Sequence, residues 1–142
     1  AKEILVTSSG KNVAPGPLED VLRAHPLVSQ AIVIGDGRAS VAALLSLDAE
    51  AVADWLSRAK RPAVPVAQLV DDPDLLGELR QAVAAANATV SSAEAIKHIR
   101  VLPVDLTEES GHLTPTLKLK RAVVMSDFAA DVDAVYVRKV GS

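Results

Sequence analysis

The sequence predicts an α+β domain: a small N-terminal β-hairpin, followed by a mixed sheet with helices packed on it. Three observations lead there. A short β-branched run is interrupted by the turn-forming stretch Ser8-Ser9-Gly10-Lys11-Asn12. Two longer apolar runs, residues 31–34 and 41–47, flank Gly35-Asp36-Gly37 in a hairpin pattern. Between and after them, apolar residues recur at helical spacing. At 142 residues the chain reads as one domain, residues 1–142, long enough to bury a core without disulfides or a metal.

Residues 4–7 form the first expected strand and Val13 belongs to a second. Pro15-Gly16-Pro17 then breaks the strand, and Pro17 suits the first turn of a helix carrying Leu18, Val21 and Leu22. His25-Pro26 ends that helix, and the hairpin of residues 31–47 follows. Asp48 is placed as the N-cap of a helix over residues 49–59. The two prolines of residues 61–65 mark a linker. A longer helix is expected over residues 73–93, with Leu75, Leu76, Leu79 and Val83 on one face. A strand over residues 96–102 is closed by Pro103, and the polar residues 105–116 read as a solvent-facing loop. Residues 120–135 show helical periodicity through Val123, Val124 and Phe128.

Composition narrows the function classes. The apolar residues are mostly Ala, Val and Leu, and the only aromatics of the Phe, Trp and Tyr type are Trp55, Phe128 and Tyr136. A formal net charge of −3 argues against nucleic-acid binding, which rests on a basic face. The absence of cysteine removes disulfides, thiolate zinc sites and Cys nucleophiles. His25, His98 and His112 lack metal-ligand spacing, so no metal site is expected. No signal-peptide pattern and no apolar run approaching the ~20 residues of a membrane span are seen. A cytoplasmic location is expected, with peripheral membrane contact left open.

Two stretches invite a chemical reading. Gly10-Lys11 evokes a phosphate-binding loop but lacks the first glycine and the hydroxyl after the lysine that such a loop requires, so a hairpin turn with a solvated lysine accounts for it. In "HLTPTLKLKR", residues 112–121, an extended backbone sends Leu117 and Leu119 one way and Lys118 and Lys120 the other. That pattern fits a half-buried strand with a solvated face. From pattern alone that is the favoured reading; the functional alternative is a loop-borne lysine reaching an anionic centre, a task suited to a compact charge on a flexible stem. The carboxylates of Asp71, Asp72 and Asp74 are explained by capping and the helix dipole. Asp105, Glu108 and Glu109 need no role beyond solubility, and no Ser-His-Asp arrangement follows from spacing.

The pair "KEILVTSSGKNVAPGPLE" and "LTPTLKLKR" resembles two signature motifs of the C-terminal domain of acyl-adenylate-forming enzymes, in the long-chain fatty-acyl-CoA synthetase branch. The intervening "VSQAIVIGDGRASVAALLSLD" and "IKHIRVLP" stand in the same order as in that family, so the likeness spans essentially the whole chain. It implies the mobile C-terminal domain of a larger two-domain enzyme, beginning at the interdomain hinge, where Lys2 is the matching pivot. Lys118 matches the catalytic lysine, which assists attack of a fatty-acid carboxylate on the α-phosphorus of ATP. Gly10 matches the glycine lining the channel for the pantetheine arm of CoA, with Lys11 and Asn12 beside it; some relatives carry Arg where Asn12 stands.

The resemblance further implies ATP with Mg²⁺ and CoA as substrates of the full enzyme, the Mg²⁺ held mainly outside this domain and nothing bound tightly to it. The partner is the enzyme's own N-terminal adenylation domain, which carries the ATP loop and acyl tunnel, so the isolated domain is expected to be inactive. Two alternatives stay open: a non-catalytic regulatory or partner-docking domain, and the same domain from a fatty-acyl-AMP ligase. If Lys2 is the pivot, Lys2→Pro in the full enzyme should lock φ and halt one half-reaction selectively. Normal rates for both adenylation and thioester formation in that variant would show that the hinge lies elsewhere.

Overall fold

The computed structural model describes residues 3–137. β1 (Leu5–Val6) and β2 (Asn12–Val13) pair antiparallel in the small hairpin, and α1 (Pro15–Arg23) follows directly. β3 (Val28–Ile34) and β4 (Val41–Leu47) form the second hairpin. The chain then crosses over through α2 (Ala49–Arg58) and α3 (Pro73–Asn87), bringing β5 (Ile96–Val101) alongside β4 in parallel. The sheet is therefore mixed, as expected, and its strand order is β3-β4-β5. α4 (Arg121–Asp127) and α5 (Ala129–Tyr136) complete the fold.

The apolar run of β4 is explained by its place as the central strand: all seven of its residues are buried, because both faces of the sheet are covered. The strand period of two divides them cleanly. Ala31, Val33, Val41, Ala43 and Leu45 face a core completed by Leu18 and Leu22 of α1 and Leu75 and Leu79 of α3. Ile32, Ile34, Ala42 and Leu44 face a second core with Val124 of α4 and Val132 and Val135 of α5. With so few aromatics, stability rests on many aliphatic burials, each full Leu or Val worth roughly 1.5–3 kcal/mol.

Several boundaries differ from the sequence reading. α1 starts at Pro15, so Pro15-Gly16-Pro17 is the helix's first turn rather than a break before it. α3 stops at Asn87, short of residue 93. There the Asn87 amide accepts from the Ile96 N–H at 2.8 Å and donates to the Ile96 carbonyl at 3.0 Å, an exchange that substitutes for a strand neighbour and turns the chain toward β5. A capping box between Ser91 and Glu94 holds the short 3₁₀ turn Ser92–Glu94. The final helix is two helices, broken at Phe128, which has φ −111° and ψ 30°. The loop after β5 is not wholly solvent-facing, because Leu106, His112 and Leu113 are buried. Within it Asp105 is more than a solubilising charge, accepting from the Ser29 hydroxyl at 2.5 Å. Among the described residues, no helix is long and apolar enough to cross a membrane.

Asp72 caps α3 as expected, accepting from the Leu75 N–H at 2.9 Å. The linker residue Arg61 also donates to both its oxygens, at 2.6 and 3.0 Å. The Arg61 hydrogen bonds, with that of Leu75, lower the Asp72 pKa to about 2. A carboxylate held below its ordinary value contributes stability that is complete above the unfolded pKa and is lost as pH falls through the folded one. Asp72→Ala should therefore cost about 1–2 kcal/mol near neutral pH, measured as a lower urea midpoint. The difference from wild type should shrink between roughly pH 4 and pH 2; a gap that stayed constant across that window would contradict the assignment.

Candidate functional site

Lys118 sits on a tight loop rather than on an extended strand. Leu113 and Leu119 form an antiparallel bridge, the Lys118 carbonyl accepts from the Thr114 N–H at 2.8 Å, and the Leu117 N–H returns to the Thr114 carbonyl at 2.8 Å. Leu117 has φ +64°, the left-handed region, as the third residue of a three-residue hairpin loop opened by Pro115. The expectation that Leu117 and Leu119 share one face is thereby corrected: Leu117 is exposed at the loop tip and Leu119 is partly buried. The Thr114 hydroxyl stiffens the turn by accepting from the Lys118 N–H at 3.0 Å. Among the described residues, nothing pairs with the exposed Lys118 ammonium.

Immediately after the loop, Arg121 opens α4. Its guanidinium donates to both Glu19 oxygens at 2.8 Å, and its Nε lies 2.6 Å from Glu3. Glu19 is buried on α1 and also accepts from the Val33 N–H, on the free edge of β3, at 2.8 Å. The Glu19 hydrogen bonds hold the Arg121 guanidinium above its ordinary pKa. Sequence reasoning placed both residues inside motifs but missed that they pair. The available signal was Glu19 standing between Leu18 and Leu22 on the apolar face of a helix, where a carboxylate needs partners.

Lys118 borders an open groove of about 940 Å³, together with Arg121 and the first turn of α1 at Pro15 and Gly16. The Ala14 N-cap supplies no side-chain acceptor, so the positive end of the helix dipole faces the same region as the ammonium. Glu3, Glu19 and Asp20 also line this groove and pair with Arg121 and Arg23, so Lys118 is the lining cation left available to an anionic group.

The Gly10 loop is a separate structure. Gly10 has φ +85°, with its N–H bonded to the Thr7 carbonyl at 2.9 Å, and a Cβ there would meet nothing within 4 Å. The whole hairpin is docked on the β3–β4 turn through Ser8 N–H to the Arg38 carbonyl and Gly37 N–H to the Val6 carbonyl, both at 2.8 Å. Gly10, Lys11 and Asn12 are all exposed, and none borders the Lys118 groove. The expected hinge residue Lys2 lies outside the described residues. Among those residues, no group of three or more His, Cys, Asp or Glu side chains could hold a metal ion.

Residues 2–140 match the family model for the AMP-binding enzyme C-terminal domain. The chain is 53% identical over 136 residues to the long-chain-fatty-acid–CoA ligase FadD15 of Mycobacterium tuberculosis, covering 95% of this chain and 23% of that protein. It is 31% identical over 154 residues to the long-chain-fatty-acid–CoA ligase ACSBG2 of Gallus gallus, covering 95% and 20%. Among solved structures, the adenylation domain of a carboxylate reductase from Mycobacterium chelonae superposes with a TM-score of 0.71 at 26% identity, over 94% of this chain and 19% of that one. The chain thus spans less than a quarter of the length of these relatives.

Replacing Glu19 tests the anchor. Glu19→Ala leaves the Val33 N–H without its acceptor and Arg121 with Glu3 alone, and should cost roughly 3 kcal/mol, at the low end for a broken buried pair because Arg121 is partly solvated and keeps one carboxylate. The loss should appear as a lower urea midpoint at unchanged slope. A midpoint equal to wild type would remove Glu19 from this role.

Proposed function

The chain belongs to the AMP-binding enzyme C-terminal domain family, and from that membership we propose that it is the mobile domain of a long-chain fatty-acid–CoA ligase, supplying Lys118 for ATP-dependent adenylation. The observation that carries this reading is the exposed Lys118 ammonium, without a partner among the described residues and held on a braced loop beside the start of α1. The resemblances to long-chain-fatty-acid–CoA ligases support the choice of substrate class.

In the proposed reaction a fatty-acid carboxylate oxygen attacks the α-phosphorus of ATP, the bond to the β-phosphate bridging oxygen breaks, and pyrophosphate leaves with that electron pair. Two anions must approach, and charge accumulates on the phosphoryl oxygens. The Lys118 ammonium offsets that charge without taking or giving a proton. Mg²⁺, held with ATP mainly by the N-terminal adenylation domain, adds charge neutralisation when bound. Rotation about Lys2 then withdraws Lys118 and brings the Gly10, Lys11 and Asn12 loop to the CoA channel. The CoA thiolate attacks the acyl carbonyl there and AMP departs. Because Gly10 lacks a Cβ, the pantetheine arm can run against its backbone. Separate anchoring of the two loops is consistent with their use in different steps.

Lys118→Ala in the full enzyme should lower ATP–pyrophosphate exchange with palmitate on the order of 10²–10³-fold. Thioester formation from preformed palmitoyl-AMP should stay near wild type. Equal loss in both half-reactions, or exchange at the wild-type rate, would overturn the assignment.

A further inference from the structure

We propose that His112 is a positioning residue for Lys118: its imidazole, clamped between Ser110 and Asp127, fixes the incoming stem of the lysine loop to the end of α4. This inference rests on the adenylation role proposed for Lys118. The His112 side chain is only 9% exposed, yet both its ring nitrogens are engaged. Nε2 lies 2.8 Å from an Asp127 oxygen, and since a carboxylate only accepts, Nε2 carries the hydrogen. The Ser110 hydroxyl lies 2.7 Å from Nδ1 and 3.0 Å from the Thr107 carbonyl, with one hydrogen to give between them, and its oxygen accepts from the Thr107 N–H at 3.0 Å. Phe128 closes one side, with ring centroids 5.2 Å apart at a tilt of 46°.

The main chain of His112 carries this fixation into the loop. Its carbonyl accepts from the Lys120 N–H at 2.9 Å, and its own N–H donates to the Thr107 carbonyl at 3.1 Å. The next residue, Leu113, bridges Leu119. Lys118 is therefore held between two ties to one helix: Arg121 begins α4 and is anchored by Glu19, while Asp127 ends α4 and is anchored to His112. A displacement near 1 Å at a reacting group can cost up to about 10²-fold in rate, so loosening one tie should register in chemistry before it registers in substrate binding.

The test is made in the full enzyme, with palmitate, ATP and preformed palmitoyl-AMP. His112→Ala should lower kcat of ATP–pyrophosphate exchange on the order of 10–100-fold. KM for ATP and thioester formation from palmitoyl-AMP should stay within about twofold of wild type. His112→Gln, whose amide can still donate to Asp127, should recover part of the loss. Asp127→Ala should lower exchange in the same direction, and the His112→Ala/Asp127→Ala double variant should be no slower than His112→Ala alone. If Lys118→Ala abolishes exchange while His112→Ala and Asp127→Ala leave it at wild type, or slow both half-reactions equally, the positioning role falls and the adenylation reading stands. If Lys118→Ala leaves exchange intact, both fall. Should His112→Ala fail to fold, Asp127→Ala decides alone, since its partly exposed carboxylate is less bound up with the core.

Discussion

A carboxylate buried in an aliphatic core must find charge and hydrogen-bond partners or forfeit several kcal/mol of hydration, and the way Glu19 meets that requirement ties the domain together. One of its oxygens accepts from the Val33 N–H on the exposed edge of the sheet, and both accept from Arg121, 102 residues further along the chain. A helix, an edge strand and the first turn of another helix are thereby fixed at one point. The same contact protects part of an edge that would otherwise present unpaired backbone groups to other chains.

The contrast between the anchors and the group they serve is physical. Glu19 and His112 are buried and Arg121 is partly so, whereas Lys118 is exposed on a loop that passes through a left-handed residue. A non-glycine residue in that region costs on the order of 1–2 kcal/mol, and such strain persists only where the surroundings over-determine it. Here the Thr114 hydrogen bonds, the Leu113–Leu119 bridge and the two ties to α4 do so. A rigid backbone that holds an exposed ammonium without a partner among the described residues is the combination an electrostatic role requires.

The Gly10 loop relies on other supports. It leans on the β3–β4 turn through backbone hydrogen bonds from Ser8 and Gly37, and the Val6 N–H reaches the Asp36 carboxylate at 3.0 Å. Glu3 is nevertheless common ground, since it lies just ahead of this hairpin and pairs with Arg121 behind the lysine loop. The segment next to the proposed pivot is thus in contact with the site that the pivot would move.

By itself the sequence determined the features governed by near neighbours. Strand alternation, the Gly-containing turns, the Asp48 and Asp72 caps and most apolar helix faces appear where periodicity and turn chemistry put them, although Val123, expected in the apolar period of the last helical region, is exposed. The two motifs carrying Gly10 and Lys118 were legible for the same reason, as contiguous residues. Tertiary structure decided the rest. Asn87 ends its helix because of Ile96, the last helix breaks at Phe128 beside His112, and a loop of polar composition buries Leu106 and Leu113. Most of all, it paired Glu19 with Arg121 and His112 with Asp127. A side chain's burial and partner are set by what the fold brings across the chain to meet it, and no local pattern encodes that distance.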